Sequence, residues 1–122
     1  MIGHETIVSQ HLKNGIGFPH FYYYGKEGAY HVLVMELLGP SLEALLHYCN
    51  GHFSIKTVCM LAQEMLLRIQ FLHEHNYLHR DLKPEHFVIG IENLRNVVYL
   101  IDYSLCKEYQ DPISHQHIPY TY

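Results

Sequence analysis

The chain has 122 residues, which suffices for one domain with a hydrophobic core but not for two. Hydrophobic residues make up 48% of the sequence, so the chain is expected to fold, while the formal net charge of −4 provides no basic face for nucleic acid or an anionic membrane. The three cysteines, Cys49, Cys59 and Cys106, are widely spaced, which indicates reduced thiols and a cytoplasmic or nuclear protein rather than a disulfide framework.

The first third of the chain predicts the end of a helix followed by a strand. Residues 5–12, ETIVSQHL, fit a helix end that the Asn-Gly pair at 14–15 breaks. Residues 30–38, YHVLVMELL, are rich in β-branched and apolar side chains and predict a buried strand, which the Gly-Pro pair at 39–40 stops. The opening residues lack the basic start and apolar run of a signal peptide, and no apolar stretch approaches the ~20 residues that span a bilayer.

Two helices are predicted in the middle of the chain. Ser41 can cap a short helix over 42–48, and Ser54 can cap a long helix over 55–75. The long helix is the clearest element because its apolar side chains recur at intervals of three and four residues, which places them on one face. These residues are Ile55, Val58, Cys59, Ala62, Met65, Leu66, Ile69 and Leu72.

The last part of the chain predicts a β-hairpin and a loop. The runs HFVI at 86–89 and VVYLI at 97–101 are short and apolar, and the turn-like segment GIENLRN separates them. Residues 107–122 are polar and contain proline, which predicts a loop. The order of helix end, strand, helices and hairpin predicts an α+β fold that is mostly helical.

The segments HRDLKPEH at 79–86 and IDYS at 101–104 contain the residue types that phosphoryl transfer needs. A hydroxyl that attacks a phosphate needs a carboxylate beside it and neutralising charge at the phosphate. Asp81 fits the first role, and Lys83 can reach a phosphate oxygen. Asp102, at the end of an apolar run, offers a hard oxygen ligand for Mg²⁺. Each residue alone would more often lie on the surface, and their combination is what points to this chemistry.

Three histidines, His73, His75 and His79, raise zinc binding as an alternative. Positions 73 and 75 point apart on a helix, because neighbours on one face are three or four residues apart. Their spacing therefore disfavours a shared metal. Taken alone, His79 would more often be a packed core histidine.

Five longer segments resemble eukaryotic protein kinases, and in particular the casein kinase I family. They are VMELLGPSLE (34–43), FSIKTVCMLAQEM (53–65), HRDLKPEHF (79–87), VYLIDYSLCKEY (98–109) and HQHIPY (115–120). The segments LLGPSLE and HQHIPY favour casein kinase I over other kinases. The resemblance implies a partial kinase fold, with the end of the upper lobe in residues 1–35, the hinge in 36–40 and the first part of the lower lobe in 41–122.

The resemblance also implies a role for each matching residue. The activity would be that of a serine/threonine kinase that uses ATP and Mg²⁺ and acts on protein substrates. Asp81 matches the catalytic aspartate, Lys83 its phosphate-contacting neighbour and Asp102 the magnesium aspartate. Glu5 matches the helix-C glutamate that pairs with a strand lysine. The adenine site would comprise Met35 at the gatekeeper position, Glu36 and Leu38 in the hinge, and Val88 and Ile101 in the apolar floor.

Five residues depart from the family pattern. His86 replaces the asparagine that holds the second Mg²⁺, and it is a weak candidate ligand because Mg²⁺ prefers oxygen. Tyr103 and Ser104 replace Phe and Gly after the magnesium aspartate, and Ser is less able than Gly to adopt a positive φ. Ala44 stands where the family has a carboxylate near the ribose. Ser9 stands where an apolar packing residue is expected.

The resemblance begins at helix C and ends early in the activation segment. Nothing before Glu5 resembles a glycine-rich phosphate loop or a strand lysine, so we expect Glu5 to lack a partner and the partial core to expose apolar surface. We also expect little or no kinase activity from the 122-residue chain alone, because the phosphate loop, the strand lysine and the substrate-binding helices have no counterpart in it. Stabilisation of transition-state charge, which such groups provide, is the main source of rate. The alternatives are a degenerate, non-catalytic relative that binds nucleotide weakly or serves as an interaction piece, and a truncated product with no stable fold.

Overall fold

The computed structural model describes residues 2–119, which contain three α-helices and three two-stranded sheets. The helices are α1 (Ile2–Leu12), α2 (Leu42–Tyr48) and α3 (Ile55–Glu74). The strands are β1 (Phe21–Glu27), β2 (Tyr30–Met35), β3 (Tyr77–Leu78), β4 (Phe87–Ile89), β5 (Val98–Leu100) and β6 (Lys107–Glu108). Two 3₁₀ turns, Pro84–His86 and Glu92–Leu94, precede β4 and β5. This is the α+β architecture that the sequence predicts, and none of these helices is long and apolar enough to cross a membrane.

Each sheet is a pair of antiparallel strands. β1 pairs with β2 from Phe21 opposite Met35 to Glu27 opposite Tyr30. β4 pairs with β5, which confirms the hairpin predicted between residues 86 and 101. β3 pairs with β6, so the segment after α3 is joined to the segment that follows the hairpin.

Both predicted helix caps are confirmed. Ser41 precedes α2, and its hydroxyl oxygen accepts a hydrogen bond from the Ala44 N–H at 3.1 Å. Ser54 precedes α3 and accepts from the Thr57 N–H at 3.2 Å. Each bond satisfies an amide group that has no partner inside its helix, which fixes where the helix begins. The long helix ends at Glu74, one residue before the predicted end.

The strand predicted at 30–38 is shorter and more exposed than its composition suggests. β2 ends at Met35 and none of its residues is buried; Tyr30 is 77% exposed and Val34 is 45% exposed. A continuous apolar run predicts burial where layers cover both faces of a sheet, whereas the described sheet has only two strands. The prediction of a buried strand is therefore wrong. Its partner β1, FYYYGKE, has no counterpart among the predicted elements because glycine and charged residues interrupt its pattern.

The C-terminal segment, predicted as a loop over 107–122, contains paired backbone as far as the structure describes it. β6 pairs with β3, and an isolated bridge joins Gln110 to His117. Tyr109 donates its N–H to the Asn76 carbonyl at 3.0 Å and its hydroxyl to the His73 carbonyl at 2.8 Å. The acceptors of Tyr109 lie at and just after the end of α3, far from it in the sequence. A strand of two residues is also too short to show an alternating pattern, so the sequence predicts a loop here. Positions 120–122 of the predicted loop lie outside the described residues.

The hydrophobic core brings together α1, α3 and β5. Val8 and Leu12 of α1, Leu72 of α3 and Leu100 of β5 are at most 1% exposed, and Tyr103 is fully buried in the same cluster. The core therefore lies directly behind the segment that carries IDYS. A short loop without this support would not hold its side chains in a fixed arrangement.

Arg68 ties α3 to β5 from inside the core. Its Nε donates to the Val98 carbonyl at 2.9 Å and its Nη2 donates to Glu64 Oε1 at 3.0 Å, so the buried guanidinium is both hydrogen-bonded and paired. Gly17 passes against this side chain with a φ of +81°, and a Cβ at that position would lie 2.2 Å from Arg68 Nε. Only glycine fits there, for steric and conformational reasons together.

Most of the apolar face of α3 is exposed in the described structure. Of the residues that define the face, only Leu72 is buried, whereas Ile55 is 83% exposed and Leu66 is 66% exposed. Between α2 and α3 this face forms an apolar groove of about 500 Å³. The apolar surface expected from the sequence is therefore present, and it is concentrated along α3.

Leu72→Ala and Ile55→Ala provide a matched test of the core. Removing the buried Leu72 side chain leaves a cavity, so we expect the free energy of unfolding to fall by about 2–5 kcal/mol. Ile55 lies on the same helix but is largely exposed, and its replacement should change that free energy by no more than about 0.5 kcal/mol. Urea denaturation followed by circular dichroism measures both effects. Equal destabilisation by the two substitutions would contradict this core.

Candidate functional site

The segment between α3 and β4 leaves the helix through β3 and then follows an irregular path. Asn76 and Arg80, on either side of β3, have φ values of +79° and +71°, which is the left-handed region of backbone conformation. The Arg80 Nε donates to the Leu105 carbonyl at 2.6 Å. Pro84 then begins the 3₁₀ turn that leads into β4, a position that suits its fixed φ and missing N–H. The loop that carries Asp81 and Lys83 is therefore anchored at both of its ends.

His79 braces this loop from the buried side. Its Nε2–H donates to the Ile101 carbonyl at 3.0 Å, and its Nδ1 accepts the Asp81 N–H at 3.2 Å. Burial lowers the pKa of His79 below its ordinary value although the bond to Ile101 acts in the other direction. The neutral ring matches this pair of bonds, one donated and one accepted. His79 is thus a packed core histidine that joins the loop to the end of β5.

His86 lies between the two aspartates of the site. Its Nδ1–H donates to the backbone carbonyl of Asp81 at 2.8 Å, and its Nε2 lies 3.0 Å from Asp102 Oδ2. The His86 carbonyl accepts the Ile101 N–H at 2.9 Å, which continues the β4–β5 pairing by one step. The residue is only 7% exposed, so its ring is fixed from several sides. His86 therefore links Asp81 to Asp102 directly.

Asp102 has a φ of +60° and turns its carboxylate back over its own segment. Oδ1 accepts the Ser104 hydroxyl at 2.6 Å and the Ser104 N–H at 3.2 Å. Burial alone would raise the pKa of Asp102, but these two hydrogen bonds, together with the charges of His86 and His79, lower it below its ordinary value. Asp102 is therefore ionised at neutral pH. Position 104 does not need the positive φ that would favour glycine there, because the positive φ falls on Asp102. Ser104 instead stabilises the Asp102 carboxylate through its hydroxyl and its N–H.

Asp81 and Lys83 lie on the open side of the loop. Lys83 Nζ is 3.9 Å from Asp81 Oδ2 and 4.0 Å from Glu85 Oε2, and the Asp81 and Lys83 side chains are 34% and 43% exposed. Such separations describe a loose, solvent-screened pair that contributes little to stability. Both groups can therefore change partners without disturbing the fold.

Asp81, His86 and Asp102 form a cluster of potential metal ligands. Each offers one ligand atom, and these atoms lie within 4.8 Å of one another. Two carboxylates suit Mg²⁺, which binds oxygen, whereas the imidazole nitrogen does not suit that ion. The residues therefore fit a divalent cation, with Asp102 and Asp81 as the donors appropriate to Mg²⁺. No other group of three or more such ligands occurs within residues 2–119.

The zinc alternative is not supported, because the three histidines make separate contacts in the described structure. His75 Nδ1 donates to the Phe71 carbonyl at 2.8 Å, and its ring stacks on Phe71. His73 packs against Tyr109, and His79 bonds as described above. They do not converge on one point.

Glu36 connects the predicted hinge to β5 and to β1. Its Oε2 accepts the Tyr99 hydroxyl at 3.1 Å, its Oε1 accepts the His20 N–H at 3.1 Å, and its own N–H donates to the His20 carbonyl at 2.7 Å. The sequence predicts only a backbone role for Glu36. The structural role of its side chain depends on residues 16 and 63 positions away, so nothing in the local sequence indicates it.

The apolar residues predicted for adenine binding lie in two strands and in the segments that follow two strands. Met35 ends β2, Leu38 follows it, Val88 is central to β4 and Ile101 directly follows β5. The Gly39 N–H donates to the Ile89 carbonyl at 2.7 Å, which ties the segment after Leu38 to the end of β4. Val88 is 6% exposed and forms a bridge to Ser41, whereas the other three are partly exposed. The fold thus brings the hinge and the hairpin together.

Glu5 has a partner, contrary to expectation. Its Oε1 accepts the backbone N–H of Tyr103 at 3.0 Å, which joins α1 to the segment after Asp102. Tyr103 is fully buried, its hydroxyl donates to the Leu100 carbonyl at 2.7 Å, and burial raises its pKa well above the ordinary value. The replacement of Phe by Tyr is therefore accommodated, since the added hydroxyl has a buried acceptor. Ser9 is buried at 5% exposure on α1, and Ala44 is exposed on α2.

Residues 4–122 match the family model of the protein kinase domain. The match includes the loop with Asp81 and Lys83 and the segment with Asp102. It also includes α1 with Glu5, apart from the first residues of that helix.

Cys106 provides a chemical test of how the segment after Asp102 is packed. Its side chain is 2% exposed, and burial, followed by the charges of Asp102 and Glu5, raises its pKa from 9.0 to about 12. Since the thiolate is the reactive form, alkylation at pH 8 should be about a thousandfold slower than for an ordinary thiol.

The exposed Cys49 and Cys59 are internal controls for this measurement. Iodoacetamide labelling followed by peptide mass spectrometry gives the rate at each site, and urea should make the three rates equal. Rapid labelling of Cys106 in the folded chain would contradict the described packing.

Proposed function

The chain belongs to the protein kinase family, and we propose that it is a serine/threonine kinase of the casein kinase I type, which transfers the γ-phosphoryl group of ATP to hydroxyls of protein substrates. The observation that carries the proposal is the convergence of Asp81, His86 and Asp102, with Lys83 beside them. Two carboxylates and a cation at the end of an apolar hairpin are the groups that phosphoryl transfer requires.

Asp81 is the proposed base for the attacking hydroxyl. Its carboxylate is one-third exposed and close to Lys83, so a serine or threonine hydroxyl from solvent can reach it. The bonds from His79 and His86 go to the Asp81 backbone and hold the residue in place without occupying Oδ1. Positioning of this kind contributes to phosphoryl transfer together with electrostatic stabilisation of the transition state.

Lys83 and Asp102 would act on the phosphate side. Lys83 is loosely paired and can move from Asp81 to a transferring phosphoryl oxygen. Asp102 is ionised at neutral pH and presents Oδ2 away from the Ser104 bonds, which use Oδ1. A bound Mg²⁺ supplies charge neutralisation on the ATP phosphates. Asp102 would hold this ion, while Asp81 would stay available to accept the proton of the attacking hydroxyl.

The hinge and the hairpin would receive the adenine. The backbone of Glu36 and Leu38 supplies hydrogen-bonding groups, and Met35, Val88 and Ile101 supply apolar surface. The Glu36 side chain is bonded to Tyr99 and to the His20 backbone, so its hinge backbone is held in one position. This rigidity lowers the entropy that nucleotide binding would cost.

The casein kinase I assignment has its support in LLGPSLE at residues 37–43, which leads into α2, and in HQHIPY at residues 115–120. The net charge of −4 favours protein substrates over nucleic acid. Cytoplasmic or nuclear location is part of the same proposal, as the reduced thiols suggest.

A second candidate function, a non-catalytic relative, is favoured by one observation. His86 Nε2 lies 3.0 Å from Asp102 Oδ2, so the imidazole occupies the side of the carboxylate that a metal-bound phosphate would need. If this contact persists with nucleotide, Asp102 is not free to hold Mg²⁺. Such a protein would retain a hinge for adenine and lose phosphoryl transfer.

Asp81→Asn separates the two functions. We propose a domain that joins this chain to the glycine-rich loop, strand lysine and remaining lower-lobe helices of a casein kinase I relative, assayed with radiolabelled ATP and serine or tyrosine peptides. Loss of a general base typically costs about 10²–10⁴-fold in rate, so transfer to serine should fall by that factor in Asp81→Asn. Glu74→Gln, which changes an exposed carboxyl group at the end of α3, should leave the rate unchanged.

Three outcomes would contradict the catalytic proposal. Transfer that survives Asp81→Asn would remove Asp81 from the mechanism. Transfer to tyrosine in preference to serine would contradict the serine/threonine assignment. Nucleotide binding without transfer in the joined domain would favour the non-catalytic relative.

A further inference from the structure

We propose that the Asp81–His86–Asp102 cluster is a site for a divalent transition-metal ion such as Mn²⁺, which it binds in preference to Mg²⁺. The inference rests on the proposed function for its biological use, because it concerns the metal of the same site. The binding itself requires only the three side chains. A preference for Mn²⁺ would differ from the preference for Mg²⁺ that the resemblance implies, since the matching kinase residues offer only oxygen ligands.

The hydrogen bonds of His86 orient one ring nitrogen as a ligand. Nδ1–H donates to the Asp81 carbonyl at 2.8 Å, so Nε2 is the ring nitrogen that can coordinate, and a metal ion there would replace its present contact with Asp102 Oδ2. A histidine that binds a metal almost always donates its other N–H to a carbonyl or carboxylate in this way. Nε2 is the nitrogen that faces Asp102, at 3.0 Å from Oδ2. The ring is therefore held in the direction that coordination needs.

Burial distinguishes His86 from an adventitious surface histidine. Its side chain is 9% exposed, whereas those of Asp81 and Asp102 are 34% and 37% exposed. The nitrogen ligand thus comes from the protein interior and the carboxylates come from the accessible side. This leaves room for water or phosphate oxygens in the remaining coordination positions.

The separations are compatible with one ion, and the ligand types decide which. Ligand distances of about 2.1 Å place neighbouring octahedral ligands about 3.0 Å apart, the separation found between His86 Nε2 and Asp102 Oδ2. Size therefore does not distinguish Mg²⁺ from Mn²⁺ here. Mg²⁺ prefers oxygen ligands, while first-row transition ions accept imidazole and Mn²⁺ also accepts carboxylates. One nitrogen with two carboxylates matches the second class.

The test is the ratio of the Mg²⁺ and Mn²⁺ dissociation constants of the full chain without nucleotide. Free Mn²⁺ is measured by electron paramagnetic resonance, and Mg²⁺ is added as a competitor. Loss of an outer-shell partner of a metal ligand costs about 10–100-fold in affinity, so loss of the nitrogen ligand in His86→Asn should lower the ratio by about tenfold or more. His52→Asn makes the same change at an exposed histidine outside the cluster and should leave the ratio unchanged.

Asp102→Asn is a second test variant. It removes a carboxylate ligand and should weaken Mn²⁺ binding, whether or not the ratio of the Mg²⁺ and Mn²⁺ dissociation constants changes. Circular dichroism and thermal unfolding establish that each variant is folded before its affinity is compared. An unchanged ratio in His86→Asn, or Mn²⁺ binding that is indifferent to Asp102→Asn, would overturn the proposal.

The result is separable from the fate of the proposed kinase activity. Mn²⁺ binding that depends on His86 in a chain whose joined domain transfers no phosphate supports the metal site and contradicts the enzyme. Phosphoryl transfer together with a ratio that His86→Asn leaves unchanged supports the enzyme and overturns the metal preference.

Discussion

The arrangement of the candidate site depends on the ring of His86. Nδ1–H donates to the Asp81 carbonyl, Nε2 meets the Asp102 carboxylate, and the His86 carbonyl accepts the Ile101 N–H. One residue therefore joins the loop after β3, the 3₁₀ turn and the segment after β5. Because the side chain is almost fully buried, water competes poorly for these bonds and each is stronger than it would be at the surface. The distance between the two carboxylates follows from the position of this ring.

The β4–β5 hairpin connects the His86 contacts to the predicted hinge at residues 36–40. At one end, Ile101 bonds to His86, and at the other, Ile89 accepts the Gly39 N–H and donates to the Pro40 carbonyl. Between them, the Tyr99 hydroxyl reaches Glu36. The residues proposed for adenine and those proposed for phosphate are thus attached to the same short pair of strands. The core beneath β5, with Leu100 fully buried, keeps that pair in place.

Local features of the site and fold could be predicted from sequence, and contacts between distant segments could not. Ser41 and Ser54 were predictable because a cap satisfies amide groups within three residues. The exposure of β2 and the partner of Glu5 depend on other segments, 98 positions away for the bond to Tyr103, and no local pattern contains that information. Ser104 shows the same limit: compared with glycine it predicts strain, yet the positive φ falls on Asp102 and the serine hydroxyl stabilises the carboxylate.

The resemblance to kinases implies an asparagine at position 86 that both braces the loop and holds a metal, and the histidine of this chain suits those two roles unequally. Bracing the loop needs a donor toward the Asp81 carbonyl, and an amide N–H or an imidazole Nδ1–H can supply it. Holding a metal needs a lone pair on the opposite end, which is oxygen in asparagine and nitrogen in histidine. The described structure shows the first role, in the bond from His86 Nδ1–H to the Asp81 carbonyl. The second role, the metal binding that we propose, would affect only which ion the cluster prefers. A chain can therefore match its family along nearly its whole length, as this one does, while a single ligand atom sets the ion preference that we propose for its central cluster.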